Sequence, residues 1–198
     1  MIHAGIIILA AGNSSRMGRP KQLLPYKGHT LLTHTIGQAL QSSLNPIILV
    51  TGAFAAEIQA SLNHSSLTIL HNPEWQQGMG AGIALAARHI LSLRQHPRAL
   101  IIAVCDQPHL SSSLLQDLIS THLRSGKGIV ASSYNDTKGT PVLFHQKYIR
   151  ELSRLSGPQG AKQLLRVYAD DLAQVDFPEG NIDIDTEEDY LSLLRTKH

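Results

Sequence analysis

The sequence predicts an α/β fold, a mostly parallel mixed sheet covered by helices on both faces, and two observations carry that reading. Short runs rich in Ile, Val and Leu recur at residues 5–10, 46–51, 67–71, 98–105 and 128–133, and continuous apolar runs of this length suit strands buried on both sides. Between them, apolar residues repeat at helical spacing: Leu32, Ile36, Ala39 and Leu40, then Ile83, Leu85, Ala86, Ile90 and Leu93, then Leu114, Leu115, Leu118 and Ile119. Strand and helix therefore alternate, the pattern of a parallel sheet built from right-handed crossovers. Such sheets bind ligands outside the carboxyl ends of their strands.

The first run, Gly5 to Ala11, has no basic segment ahead of it and too few residues to cross a bilayer, so it reads as a buried strand. No other apolar run approaches membrane length. Beyond residue 134 the alternation loosens. Gly139 to Phe144 reads as a further strand, helical segments follow around 146–154 and 159–168, and Leu172 to Asp185 returns to strand before a closing helix from Thr186. With no linker, repeat or low-complexity tract, one domain over 1–198 is expected.

Composition narrows the function. The chain has 198 residues, enough to bury a core without metals or disulfides. Lys plus Arg number 17 against 15 Asp plus Glu, which is not the positive field that holds nucleic acid through counterion release. Only nine residues are Phe, Trp or Tyr, so stacking platforms for bases are lacking as well. The single cysteine, Cys105, cannot form an internal disulfide, which suits a reducing, cytoplasmic setting. It ends an apolar strand without an evident base and reads as a core residue. The eleven histidines form no zinc-binding spacing, and His109, near the candidate site, reads as a surface residue.

The first strand opens into Leu9-Ala10-Ala11-Gly12-Asn13-Ser14-Ser15-Arg16-Met17-Gly18-Arg19-Pro20-Lys21. Small and polar side chains let a ligand approach the backbone closely, exposed amides favour anions, and Arg16 and Lys21 add positive charge. Phosphate is the natural guest. Neither GxGxxG nor GxxxxGK[ST] is present, which counts against a dehydrogenase and a P-loop NTPase. By composition alone the stretch could equally be a turn.

The segment LAAG-x-S-x-RMG-x-PK from Leu9 to Lys21 resembles the signature of the MobA-like nucleotidyltransferases, and most resembles their molybdenum cofactor cytidylyltransferase branch. Leu23 to Gly28 with Leu31-Leu32, the second glycine loop Glu74 to Gly80, Cys105-Asp106-Gln107-Pro108, and Asp183 to Tyr190 resemble the family's further motifs. The resemblance implies a three-layer Rossmann-like nucleotidyltransferase fold. It implies a nucleotide pocket of Leu9, Ala10, Ala11, Gly12, Arg16 and Lys21, with Gln76 and Gly78 at the base edge, and Ala11 and Pro20 favouring cytosine, hence CTP. It also implies molybdopterin carrying molybdenum as acceptor, and a product used by hydroxylases of the xanthine dehydrogenase type, one of which, in apo form, is a possible partner.

Asp106 closes the apolar strand Ala99 to Cys105, which delivers a carboxylate to the ligand edge. Mg²⁺ sites combine one or two carboxylates with phosphate oxygens and water, so Asp106 is the first metal ligand expected, with Mn²⁺ as a substitute ion. The serines at 111–113, rather than Asp106, are placed to cap the next helix. Asp183 and Asp185 share a face if their segment is a true strand. Asp185-Thr186 could instead be an ordinary helix cap; by resemblance Asp185 is the second ligand. Arg16, Lys21 and Asp106 are the expected catalytic residues, the two cations holding the β- and γ-phosphates while the metal serves the α-phosphate.

Two stretches depart from the family pattern. Gly80-Ala81-Gly82-Ile83 lacks the serines that relatives show, and Ser156-Gly157-Pro158-Gln159-Gly160-Ala161-Lys162 resembles a GDxGAR segment with Pro158 in place of the acid. Both fall on the expected acceptor side. Transfer to a sugar phosphate or alcohol phosphate is the nearest alternative, and a catalytically silent cofactor-delivery module the next. A monomer is expected.

Overall fold

The computed structural model describes residues 2–62 and 66–195; Met1, where the N-terminal reading begins, lies outside them. Strand β1 (Ala4–Ala10) is buried along its whole length, as its unbroken apolar run requires. A small hairpin, β2 (Pro25–Tyr26) and β3 (His29–Thr30), leads into helix α1 (Leu31–Gln41). Thr30 starts that helix with a capping box, its hydroxyl accepting from the Thr33 amide while Thr33 returns the bond. Then come β4 (Ile47–Thr51), the short helix α2 (Ala55–Ala60), β5 (Leu67–His71), α3 (Met79–Ser92), β6 (Ala99–Val104) and α4 (Ser112–Ser125). The second half contributes β7 (Ile129–Tyr134), β8 (Thr137–His145), α5 (Ile149–Leu152), α6 (Lys162–Val167), β9 (Leu172–Asp176) and α7 (Glu187–Arg195).

Seven strands form one sheet in the order β5-β4-β1-β6-β8-β7-β9. β1 pairs in parallel with both β4 and β6, β4 with β5, and β7 with β9, whereas β8 runs antiparallel to both of its neighbours. The sheet is mixed and mostly parallel, as expected. Chain order reverses at β1, because β4 and β5 lie on one side of it and β6 on the other. A crevice opens at such a point beyond the strand carboxyl ends, and there the loops after β1 and β6 meet.

Alternation along β1 divides the core. Ile6, Ile8 and Ala10 pack with Leu32 and Ile36 of α1 and Leu115 and Leu118 of α4, while Ile7 and Leu9 pack with Ile83, Ala86 and Ile90 of α3, Leu152 of α5 and Leu165 of α6. Helices therefore cover both faces, giving three layers. A separate cluster joins Leu24 and Tyr26 of the hairpin region to Ile184, Tyr190 and Leu193, with the Tyr190 hydroxyl donating to the Pro25 carbonyl at 2.8 Å. This cluster carries the C-terminal segment back to the first loop.

One expectation is corrected. The strand expected from Leu172 to Asp185 stops at Asp176; Pro178–Asn181 forms a 3-10 turn, and 182–185 carry no strand pairing. Pro178 has no amide hydrogen for a ladder, and Gly180 packs against the rings of Tyr134 and Phe177, where no side chain would fit. The Ile184 amide instead donates to the Asp106 carbonyl at 3.0 Å, fastening this segment beside the end of β6.

Candidate active site

The loop after β1 is shaped from beneath by a buried glutamine. Gln22 donates its side-chain amide to the carbonyls of Ala10 (3.1 Å) and Gly12 (2.9 Å). Ser14, held at a positive φ of 49°, accepts from the Lys21 amide at 3.1 Å. The loop is therefore tied at both ends, with Gly12 and Asn13 exposed between them. That geometry suits an anion cradle better than a plain turn.

Three chain segments meet over this loop. The Lys21 ammonium lies 2.6 Å from Asp106 Oδ2 and 2.7 Å from Asp185 Oδ1, and Arg16 reaches Asp185 Oδ2 at 2.8 Å. Burial opposes the charge on Lys21, yet the two carboxylates outweigh it and raise its pKa above the usual lysine range. The Lys21 hydrogen bond, set against partial burial, holds Asp185 below the ordinary carboxylate value. Asp183 is pushed up to about 6, first by burial and then by the neighbouring charges of Asp106 and Asp185. Three carboxylates thus share a small volume.

The helix-cap alternatives resolve locally. Ser111 caps α4 by accepting from the Leu114 amide at 3.2 Å, which leaves Asp106 free of that task. At α7, Thr186 accepts from the Asp189 amide while Asp189 Oδ2 accepts from the Thr186 and Asp185 amides, a box that releases the Asp185 side chain towards the cations. Asp106 Oδ1 is buried and has no hydrogen-bond partner. An orphaned carboxylate oxygen beside a second carboxylate suits a divalent cation. Among the described residues no set of three or more His, Cys, Asp or Glu side chains converges into a closed cage, and the pair follows the open pattern of Mg²⁺ sites, completed by phosphate and water.

Two cavities adjoin at Asp106. The smaller, about 230 Å³, is lined by Leu9, Ala10, Ala11, Gly12, Lys21 and Gly78 among others. The larger, about 470 Å³, has an apolar wall from Ile83, Ile102, Val142 and Leu165, with Gln107, Tyr134, Asp183, Lys162 and Arg166 as polar groups. Met79, Val104 and Asp106 line both. The Tyr134 hydroxyl is raised in pKa, by burial first and by Asp183 second, so it faces this cavity as a neutral donor.

Most of the expected residues come together here: Leu9 to Gly12, Lys21, Gly78 and Asp106 line the smaller cavity, Asp185 joins through Lys21, and Arg16 joins through Asp185. Gln76 does not join them. It is exposed on the 3-10 turn Trp75–Gln77, and Asn72 and Trp75 line the cavity where Gln76 was expected. Gln22 was not foreseen, although a polar residue between Lys21 and the apolar Leu23-Leu24 is the signal that marks it. Cys105 is 3 % exposed and packs in the core beneath the smaller cavity, which it helps to line, and burial raises its thiol pKa.

The two departures from the family pattern prove to be one feature. The Gly80 amide donates to the Gly157 carbonyl at 2.9 Å, and a Cβ on Gly80 would lie 2.6 Å from the Ser156 carbonyl. A Cβ on Gly78, which has a φ of 98°, would likewise lie 2.7 Å from Pro158 Cα. The loop 156–158 is seated directly on the start of α3, in space that a serine at position 80 would need.

Residues 6–175 match the family model described as the MobA-like NTP transferase domain. Among curated proteins, the chain is 32 % identical to nicotine blue oxidoreductase of Paenarthrobacter nicotinovorans, covering 95 % of both chains. It is 30 % identical to molybdenum cofactor cytidylyltransferase of Escherichia coli (strain K12), covering 94 % of this chain and 93 % of that one. Among solved structures, Rv0371c of Mycobacterium tuberculosis H37Rv superposes with a TM-score of 0.83 at 27 % identity, over 98 % of this chain and 99 % of that one. The same protein has also been crystallised in complex with manganese, at a TM-score of 0.77 and 24 % identity over 98 % of this chain and 100 % of that one.

Proposed function

Because the chain belongs to the MobA-like NTP transferase family and is a nucleotidyltransferase, we propose that it transfers CMP from CTP to the terminal phosphate of molybdenum-loaded molybdopterin, releasing pyrophosphate and giving molybdopterin cytosine dinucleotide. The observation that carries this reading is the meeting of two cavities at Asp106. Transfer needs a donor and an acceptor held on either side of one reacting phosphorus, and the joint wall provides that place. Similarity to the cytidylyltransferase supports the choice of substrates.

An oxygen of the acceptor phosphate attacks the α-phosphorus of CTP; the bond from that phosphorus to the bridging oxygen of the β-phosphate breaks, and pyrophosphate departs with the electron pair. The acceptor phosphate is already anionic at neutral pH, so positioning and charge neutralisation do most of the work. The first loop receives the triphosphate on its backbone amides. Lys21 and Arg16 exchange their carboxylate partners for the β- and γ-phosphates and stabilise the departing charge. Asp106 and Asp185 would hold Mg²⁺ or Mn²⁺, which when bound supplies Lewis-acid neutralisation of the phosphate oxygens. Ala11 of the smaller cavity and Pro20 fit cytosine by family resemblance. The apolar wall of the larger cavity takes the body of the acceptor. A cytoplasmic monomer passing its product to an apo-hydroxylase of the xanthine dehydrogenase type completes the reading.

The test is pyrophosphate release with Mg²⁺, molybdate-loaded molybdopterin and each of CTP, GTP, ATP and UTP. CTP-selective release is expected; release with a sugar phosphate alone would move the acceptor assignment, and none with any acceptor would favour a silent delivery module. Similarity to nicotine blue oxidoreductase favours a second reading, reduction of a flat heterocycle in the larger cavity. Oxidation of NADH or NADPH by nicotine blue, with no pyrophosphate release, would establish it. The Lys21–Asp106–Asp185 cluster favours transfer, since hydride chemistry has no use for it.

A further inference from the structure

We infer that the acceptor carries a second anionic group remote from its reacting phosphate, and that Lys162 and Arg166 form the subsite that receives it. This deepens the transfer reading and rests on it. The larger cavity has two distinct borders. Towards the nucleotide it shares Met79, Val104 and Asp106 with the smaller cavity. On a further border it shares Lys162, Leu165 and Arg166 with a shallow outer cavity of about 460 Å³, whose rim includes Lys138 and one carboxylate, Asp136. The reacting phosphate belongs at the Asp106 border, where the α-phosphorus is reached. The Lys162 and Arg166 border then serves another part of the same molecule.

The chemistry of that border is cationic. Lys162 and Arg166 lie four residues apart on α6 and so project from one face of it. Among the described residues neither forms an ion pair with a carboxylate, whereas Lys21, Arg16, Arg19 and Lys147 all do. α6 is held by the buried Leu164 and Leu165, which leaves the two cations without a packing duty. Two cations lining one cavity wall favour an anion, and Arg offers the paired donors that bind an oxyanion in a fixed orientation. The same lining carries Asp106 and Asp183; burial and the neighbouring carboxylates raise the pKa of Asp183, and Lys162 partly offsets that rise. In the transfer reading a divalent cation on Asp106 offsets the carboxylates where the reacting phosphate sits, so a ligand with one anion only would leave Lys162 and Arg166 unmatched.

The probes are α,ω-alkanediol bisphosphates of four to eight carbons and alkyl monophosphates of equal length, titrated calorimetrically with Mg²⁺ and a saturating α,β-methylene analogue of CTP filling the nucleotide side. The best-fitting bisphosphate is expected to bind about tenfold or more tighter than its monophosphate partner, the advantage of one added charge-assisted contact. In Lys162→Gln with Arg166→Gln that advantage disappears while monophosphate binding stays, and Arg94→Gln, on a surface away from the site, changes neither. Equal binding of the two probe classes to the unmutated protein overturns the inference. Equal loss of both in the double variant also overturns it, since the cations would then be holding the reacting phosphate. Pyrophosphate release with molybdopterin, measured on the same preparation, reports separately on the transfer reading.

Discussion

Lys21 neutralises two carboxylates at once, and each carboxylate arrives from a different part of the chain. In the proposed reaction its replacement by alanine removes a preorganised donor from the departing pyrophosphate, so kcat should fall by roughly 10²-fold or more; unchanged turnover in a steady-state assay would sink that role. Gln22 acts one layer below. Gln22→Ala leaves the Ala10 and Gly12 carbonyls without their donor, a cost of about 1–3 kcal/mol, measurable as a lowered melting temperature together with weaker nucleotide binding. Far from the site, Asp171 anchors β9 to β7 through the Gly128 amide, the Tyr148 hydroxyl and Lys147. Burial pulls its pKa upward, but those three donors prevail and lower it from 3.8 to about 2. A carboxyl depressed in the folded state adds stability at neutral pH, and that stability fades as pH falls from 3.8 towards about 2. Asp171→Asn should therefore be less stable than the parent at pH 7 and converge with it in acid, as denaturant titrations at both pH values would show.

At the scale of elements, the telling contact is α3 against the loop 156–158. Gly80→Ala forces backbone against backbone, which cannot be relieved by a side-chain turn, and a cost of about 1–3 kcal/mol is expected. Gly82→Ala meets only side-chain atoms, the nearest being Val50 Cγ1 at 3.3 Å, and should be far milder. Trypsin reads the difference, because Arg154 is exposed just before the loop: Gly80→Ala should be cut there faster than either the parent or Gly82→Ala. The same contact shows where sequence reading stops. The central strands were legible because burial on both faces fills them almost wholly with Ile, Val, Leu and Ala, and Asp106 was legible as a candidate because it is the first charge after such a run. Asp183 and Asp185 were legible as candidates, but not the conformation of their segment, which depends on Gly180 meeting the Tyr134 and Phe177 rings across the fold. Gln76 was placed in the pocket by analogy, and the direction in which a three-residue 3-10 turn points its side chains is set by tertiary packing. That positions 80 and 157 fit one another could not be read from either stretch alone.

At the scale of the whole molecule, α7 and the β2–β3 hairpin close the ring. The cluster of Leu24, Tyr26, Ile184 and Tyr190, with Arg19 paired to Glu187 at 2.7 Å, keeps Asp185 opposite the first loop. Truncation before Glu187 should weaken nucleotide binding more than it lowers the melting temperature, because the sheet and its two main core clusters lie elsewhere; circular dichroism and calorimetry together separate the two effects. The joint wall of Met79, Val104 and Asp106 has one more effect, on timing. In the proposed transfer the two cavities hold two ligands beforehand, each free to leave alone; afterwards one covalent product occupies both, and each half keeps the other at high effective concentration. The product should then be the tightest-held species in the cycle. Rapid mixing should show a burst of pyrophosphate close to one per protein followed by a slower steady rate, and a receiving protein that draws the product out should raise that steady rate without touching the burst.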